Sequence, residues 1–272
     1  MVRTVHHILL LLVCLVIAGC EVIREDQRLI ALDPVSAVSN SKHHLLIEYT
    51  GVNCVNCPRA AETVHELEQI YPNLIVVAMH PASNPFTQAA AKYDYTCPEA
   101  DVYYKFMGGL PTTPFPTGNL NFTADDDGNY LTDHTTWPTA LRAAQQDTAV
   151  VWISVTPKWQ DQNLHIRYTL TSLDEKERPV DVLLWVIENN IVGPQNMPNG
   201  TLNMEYTHQH MLRASLNGEQ GNNIVLRPNE NYTDEGTYTL SDKWVRANCR
   251  IVAVVLDHNT RQLLNAQSVD IN

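Results

Sequence analysis

Two cysteines separated by two residues, Cys54 and Cys57, are the side chains of this sequence best suited to chemistry. The apolar segment HLLIEY leads into them from residue 44, and Pro58 follows where a helix would begin. Thiols at this spacing lie within disulfide reach when the first stands at a helix N-terminus. Unpaired N–H groups and the helix dipole there favour the thiolate, the form that attacks a disulfide. The motif predicts thiol–disulfide chemistry, although a Cys-x-x-Cys pair alone is a weak signal.

The elements that must position these cysteines are indicated by the hydrophobic pattern. Apolar residues at spacings of four, three and four predict a helix from Pro58, and LIVVAM predicts a second buried strand at 74–79. Helical pieces follow between 81 and 109, then a strand after Pro116, a turn at 127–129 and a last helix at 137–146. The order β-α-β-α-β-β-α resembles the thioredoxin fold. We therefore assign residues 42–147 to an α/β thioredoxin-like domain.

Glu48 stands six residues before Cys54, where thioredoxin-like proteins often hold a buried carboxylate. Such a group accepts the proton of the second cysteine as a mixed disulfide resolves. The resemblance thus adds Glu48 to Cys54 and Cys57 as a candidate catalytic residue. The alternative is a carboxylate at a strand edge that only forms local hydrogen bonds.

The segment FPTG at 115–118 precedes the third core strand. Thioredoxin-like proteins place a cis-proline at this point, packed on the disulfide, and the residue before it binds the substrate backbone. The resemblance predicts that Pro116 is the cis-proline and that Phe115 and Thr117 bind substrate. Pro111 and Pro114 are competing positions for the cis bond.

Residues 1–19 have the pattern of an export signal, with Arg3 ahead of an apolar run from 8 to 18 that is too short to span a bilayer. The run ends in VIAGC, which resembles the lipobox of bacterial lipoproteins. The resemblance implies cleavage before Cys20, a diacylglycerol on its thiol and an acyl chain such as palmitate on its amine. An ordinary secretory signal is the alternative. Residues 20–41 lack periodicity and are predicted to be a tether.

Charge and cysteine content limit the partners. The net charge of −12 becomes −13 when Arg3 leaves with the signal, which argues against nucleic acid as a partner. Besides the Cys-x-x-Cys pair, the mature chain keeps Cys97 and Cys249. Cys97 is a resolving thiol, a bridge to Cys249 between the domains or a buried free thiol, and we favour the last. We expect no metal site and no cofactor.

From about residue 148 the pattern approaches a period of two, which indicates strands. Seven short strands separated by turn signals predict an all-β, immunoglobulin-like sandwich over 148–272. The loop 189–205 is either a binding surface or a plain crossover. His208 and His210 are predicted to share a solvated strand face.

Four motifs resemble the outer-membrane lipoprotein family named after a surface protein of twenty-eight kilodaltons. They are IEYTGVNCVNCP near residue 50, FPTG at 115–118, YTHQHMLR at 206–213 and RIVAVVLDHNTRQLLNAQ at 250–267. The family resemblance implies an acyl-anchored thioredoxin-like domain followed by an immunoglobulin-like sandwich. It also implies attachment to the outer membrane, on its periplasmic or its cell-surface side.

The chain departs from the redox-active pattern before its first cysteine. Asn53 stands where many thioredoxin-like proteins have an aromatic residue, and Val55 and Asn56 replace the proline or histidine of efficient exchangers. We therefore place a surface-binding role, as an adhesin or receptor for envelope or host proteins, slightly ahead. The alternative is an enzyme, a thiol–disulfide oxidoreductase acting on envelope proteins through Cys54 and Cys57.

Overall fold

The computed structural model describes residues 42–272. The predicted signal peptide, the lipidated Cys20 and the tether lie outside these residues. No helix within 42–272 combines the length and the hydrophobicity needed to cross a bilayer.

The chain is a mixed α/β protein with mostly sheet and few helices. In the first half, the apolar spacing seen in the sequence forms a helix, α1, that buries Ala60, Val64 and Leu67 on one side. β1 and β2 pair in parallel along their whole length, and β3 pairs antiparallel with the other edge of β1. The elements of this half are β1 (His44–Tyr49), α1 (Cys57–Ile70), β2 (Leu74–Met79), α2 (Pro98–Phe106), β3 (Thr117–Leu120) and α3 (Trp137–Ala144).

The second half consists of strands. The bounds are β4 (Val151–Gln160), β5 (Asn163–Ser172), β6 (Arg178–Glu188), β7 (Ile191–Asn196), β8 (Leu202–His208), β9 (Met211–Ser215), β10 (Asn222–Leu226), β11 (Asn231–Thr239), β12 (Cys249–Asp257) and β13 (Leu263–Asp270). The order β11-β5-β4 forms one sheet, which packs its apolar side on β6 and β12. β7 and β8 form a two-stranded hairpin of their own.

One sheet runs through both halves of the chain. Its strand order is β13-β12-β6-β9-β2-β1-β3, with β10 beside β6. The halves join at β2 and β9, where Ala78 pairs with Met211 and its N–H donates to the carbonyl oxygen of His210 at 2.8 Å. One core cluster contains Ile47 and Val77 from the first half and Trp185 and Val252 from the second.

Three sequence predictions need correction. The second strand of the predicted β-β pair after Pro116 is reduced to one bridge between Gly118 and Thr132. The segment 189–205, predicted to be a loop, contains β7 and the start of β8. His208 and His210 do not share a strand face, because His208 ends β8 with a buried side chain and His210 lies in the following turn.

Candidate functional site

Cys54 and Cys57 form a disulfide, with their Cα atoms 5.4 Å apart. Cys57 is the first residue of α1, and its backbone N–H donates to Cys54 Sγ at 3.1 Å. The helix N-terminus therefore directs a donor at the first sulfur, as its position in the sequence predicted. Cys54 is only 1 % exposed and Cys57 only 2 %, whereas Val55 between them is 44 % exposed. The loop reaches solvent through Val55, and its sulfur atoms do not.

The peptide bond between Phe115 and Pro116 is cis, which confirms the predicted position of the cis-proline. The bond leads into β3, which lies beside β1, and Phe115 belongs to the same core cluster as the two cysteines. Phe115 and Thr117 are both 6 % exposed, and Thr117 Oγ1 donates to the carbonyl oxygen of Thr132 at 3.1 Å. Their side chains are buried, so a partner at this loop would meet backbone atoms.

Glu48 is a buried carboxyl group on β1, the strand that leads into the cysteine loop. Burial raises its pKa from 4.5 to about 8, so the group holds its proton at neutral pH. Its Oε1 atom has no hydrogen-bond partner among the described residues. The Tyr206 hydroxyl lies near enough to Glu48 and Glu62 that, after burial, their charges contribute to raising the Tyr206 pKa to about 12. Glu48 is thus a buried group of β1 within electrostatic range of Tyr206 on the β7–β8 hairpin.

The β7–β8 hairpin covers the cysteine loop. The Gln195 side chain, 2 % exposed, donates from Nε2 to the carbonyl oxygens of Cys54 at 2.9 Å and Gly51 at 3.3 Å. The Asn196 backbone N–H donates to the carbonyl oxygen of Val52 at 2.9 Å. The sequence analysis did not assign these hairpin residues to the site.

A signal for the hairpin is present in the sequence. Asn199-Gly200 is a dipeptide typical of tight hairpin turns. In residues 202–208, LNMEYTH, the polar residues Asn, Glu and Thr alternate with Leu, Met, Tyr and His. The alternation does not give the burial, because Leu202 and Met204 are exposed while His208 is buried. Only the contact with the cysteine loop decides which face of this hairpin lies inward.

A cluster of aromatic and histidine rings joins the hairpin, through Tyr206 and His208, to Tyr95 and His80 beneath it. Ring centroids are 5.1 Å apart for Tyr95 and His208, 4.9 Å for Tyr206 and His208, and 6.3 Å for His80 and His208. Burial, chiefly, lowers the pKa of His80 to about 3 and of His208 to about 4, so both rings are neutral at pH 7. Both His80 nitrogens and the Tyr95 hydroxyl have no hydrogen-bond partner among residues 42–272.

Cys97 and Cys249 are both buried and free. This confirms the favoured prediction for Cys97 and rules out a bridge between the two thiols in this structure. Burial raises the pKa of each thiol to about 12, which disfavours the thiolate needed for attack on a disulfide. Among residues 42–272, the only disulfide is therefore the one between Cys54 and Cys57.

Residues 102–272, well over half of the chain, match the family model described as "Outer membrane protein Omp28". The chain belongs to the Omp28 family. Membership supports association with the outer membrane. The match includes the cis-proline loop, the β7–β8 hairpin and the free Cys249, and it begins after the Cys-x-x-Cys segment and Cys97. None of the curated proteins matches this Omp28-family chain.

Two solved structures from Porphyromonas gingivalis resemble this Omp28-family chain. HBP35 is 17 % identical over 86 % of this chain and 77 % of its own, with a TM-score of 0.68, which shows a shared fold. A domain of the outer membrane lipoprotein Omp28 is 22 % identical over 46 % of this chain and 89 % of its own. Its TM-score of 0.34 is too low to support an argument about structure.

Proposed function

We propose that this protein is a lipid-anchored outer-membrane protein that exchanges disulfides with envelope proteins through Cys54 and Cys57. In this proposal acyl chains on Cys20 hold the molecule to the membrane. Residues 42–147 act as a thioredoxin-like domain and residues 148–272 as an immunoglobulin-like sandwich. The family match supports the location, and the lipobox-like sequence at Val16–Cys20 supports the anchor.

Glu48 is the observation that carries the exchange function. Burying a carboxyl oxygen without a hydrogen-bond partner lowers the stability of the fold, and a purely structural disulfide does not need such a group. Its pKa of about 8 is close to the ordinary value of a cysteine thiol, about 8.5. A carboxylate with this pKa accepts a thiol proton far more readily than an ordinary carboxylate with a pKa of about 4.5.

The exchange proceeds in two steps in the reducing direction. The Cys54 thiolate attacks one sulfur of a partner disulfide, and the other partner sulfur leaves as a thiolate. The ionised form of Glu48, which is the minority form at pH 7 because its pKa is about 8, then accepts the Cys57 proton. The Cys57 sulfur attacks Cys54 Sγ and expels the second partner sulfur. The partner gains two electrons and two protons as its disulfide becomes two thiols, while Cys54 and Cys57 form their disulfide. The reverse sequence oxidises a partner.

A second candidate, surface binding with a structural disulfide, is favoured by the low exposure of both cysteines. Cys54 is 1 % and Cys57 2 % exposed, which leaves an incoming thiolate little access to either residue in this arrangement. The hairpin that is hydrogen-bonded to the cysteine loop exposes three apolar side chains, with Val192 at 59 %, Leu202 at 57 % and Met204 at 47 %. In this reading the hairpin binds a protein partner and the disulfide only stiffens the loop beneath it.

The reduction potential of the Cys54–Cys57 pair separates the two functions. We would equilibrate the full-length protein, purified in mild detergent, with thiol–disulfide buffers and map each alkylated cysteine by mass spectrometry. An exchange protein is expected to have a potential between about −120 and −270 mV, with Cys54 alkylating first. A potential below about −300 mV would instead indicate a structural bridge.

The variant Glu48→Gln tests the assigned proton transfer. With a disulfide-bonded peptide as substrate, the mixed disulfide on Cys54 is expected to persist about 10²-fold longer, since general base catalysis contributes on this order. Glu66→Gln, on the exposed side of α1, is the matched control and should resolve at the wild-type rate. Equal lifetimes in all three proteins would remove Glu48 from the mechanism.

A further inference from the structure

The β7–β8 hairpin has no backbone pairing with the larger sheets. It is connected to them by the chain at its two ends and by side-chain and loop contacts. Its two strands pair with each other and belong to neither of the two larger sheets. At its base, Asn190 and His210 both have left-handed backbone conformations, with φ of 59° and 57°. Asn190 and Gln209 also exchange hydrogen bonds of 3.1 Å across the base. The hairpin is thus an 18-residue arm, Ile191 to His208, between two sharp turns.

The hydrogen bonds between the arm and the cysteine loop all end on backbone carbonyl groups of the loop, in addition to the ring packing described above. Gln195 and Asn196 donate to four backbone carbonyl groups of the loop, those of Gly51, Val52, Asn53 and Cys54. These four oxygens belong to the segment that leads into the buried disulfide. An extended polypeptide whose amide N–H groups reached the same oxygens would compete directly with the hairpin.

Beneath the arm lie buried polar groups that have no hydrogen-bond partner among the described residues, which disfavours the closed arrangement. Gly193 lies so close to the Tyr95 hydroxyl that a Cβ added to the glycine would be 1.9 Å from the oxygen. Closure leaves that hydroxyl and both nitrogens of His80 buried without partners among the described residues. Opening would return these polar groups to water, which offsets part of the loss of the hairpin contacts. The closed and open arrangements are therefore closer in free energy than they would be if the groups beneath the arm were apolar.

We propose that the β7–β8 hairpin is an autoinhibitory lid over the Cys54–Cys57 disulfide, which opens by rotation at Asn190 and His210. Closed, it prevents reagents from reaching either sulfur; open, it exposes Cys54 and frees four backbone acceptors. The lid implies one class of partner, a protein with an extended segment next to a disulfide. The amide groups of that segment would bind the loop carbonyl oxygens that the hairpin releases. The biological role of the lid depends on the proposed exchange function. The opening of the hairpin can be measured whether or not the protein exchanges disulfides.

The test is the rate at which tris(2-carboxyethyl)phosphine reduces Cys54–Cys57 in the full-length protein in mild detergent. Gly193→Ala forces a methyl group against Tyr95, and Gln195→Glu replaces a donor to two carbonyls with a carboxylate. Each is expected to raise the reduction rate by about tenfold or more, as the loss of hydrogen bonds predicts. Thr207→Ser, an exposed change on the paired strand β8, is the control and should leave the rate unchanged.

Alkylation of the buried Cys97 and Cys249 reports unfolding of the whole molecule in each variant. The lid is supported when Cys54 becomes reducible while these two thiols stay protected. It is overturned when a folded variant loses its hairpin contacts and is still reduced within about twofold of the wild-type rate.

Hydrogen exchange of the wild-type protein tests the lid if the variants fail to fold. The Asn196 amide, which bonds to Val52, should exchange at least about tenfold faster than the amide of Val252 in the core strand β12. Equal exchange would mean that the hairpin opens only on global unfolding, and it would overturn the lid. A lid that opens in a protein without exchange activity would contradict the proposed function alone.

Discussion

At the scale of single residues, burial of ionisable groups dominates this site. Glu48 is held protonated, and His80 and His208 are held neutral, each chiefly because charge is poorly solvated inside the protein. The spacing from Cys54 pointed to Glu48 but gave no information on its ionisation. The sequence did not predict that His80 and His208 are buried and neutral, because the residues that enclose them come from distant segments of the chain.

Glu48 should make the stability of the protein fall as pH rises. Its folded pKa of about 8 lies above its ordinary value of 4.5, so its stabilising contribution is complete below pH 4.5 and is lost as pH rises towards 8. Glu48→Gln does not titrate, so the variant should be more stable than the wild type at pH 8, by a few kcal/mol as an order of magnitude. Urea unfolding at several pH values from 4.5 to 8 measures this.

The exposed substitution Glu66→Gln is the control and should follow the wild-type curve. If the stability of Glu48→Gln ran parallel to that of the wild type across this pH range, Glu48 would already be ionised in the folded protein. Its assignment as a proton acceptor with a raised pKa would then be wrong.

At the scale of elements, the two segments around the disulfide differ in how predictable they were. The helix α1 and the strands β1 and β2 follow from local apolar spacing, and their bounds agree with the pattern to within about two residues. The sequence predicts a loop at residues 189–205, because Gly193 and Pro194 interrupt the strand pattern of β7. In the structure the pair accommodates them by a register shift between Gly193 and Gln195.

Gly118 is expected to be essential for the placement of β3 after the cis-proline. A Cβ there would lie 2.5 Å from the carbonyl oxygen of Ile47 and 2.6 Å from Trp137 Cζ2. Neither a backbone oxygen of β1 nor the fully buried Trp137 is free to move away. Gly118→Ala should therefore lower the free energy of unfolding by about 2 kcal/mol or more, as overpacking does, measured by urea unfolding at pH 7.

Gly200→Ala gives the comparison, since Gly200 has a φ of 81° but open space around its Cβ position. Its cost is the backbone preference alone, about 1 kcal/mol. A Gly118→Ala protein as stable as Gly200→Ala would show that β3 shifts away from β1 without penalty.

At the scale of the whole molecule, the two halves share a sheet and a core across residue 147, where the sequence predicted a domain boundary. Trp185 Nε1 on β6 donates to the Tyr103 hydroxyl on α2 at 3.0 Å. The Ser215 backbone N–H donates to Glu99 Oε1 at 3.2 Å. These contacts couple the helix of one half to the central strands of the other, so we expect one cooperative unfolding transition.

Tyr103→Phe tests that coupling. The change leaves the fully buried indole N–H of Trp185 without its acceptor, which should lower the free energy of unfolding by about 1–3 kcal/mol. The single transition should shift as a whole when thermal unfolding is followed by both circular dichroism and tryptophan fluorescence. Tyr130→Phe, at a half-buried position, is the control. Two separate transitions, with only one shifted, would show that the halves unfold independently.

The sequence by itself determined the features that depend on neighbours along the chain. These include the cysteine pair at a helix N-terminus, the helix periodicity of α1 and the alternation of most strands. The resemblance to thioredoxin-like proteins added the cis bond at Pro116. Regular backbone hydrogen bonding imposes periods of 3.6 and 2 on such segments, so their pattern is visible in the residues themselves.

Only the tertiary structure decided the features that depend on contacts between distant segments. Three examples join residues more than a hundred positions apart: the pairing of β2 with β9, the proximity of Glu48 to Tyr206, and the hydrogen bond from Gln195 of the hairpin to the cysteine loop. Burial and solvation depend on which surfaces meet in space. For that reason the sequence located the cysteines of this site, and the fold determined how far solvent can reach them.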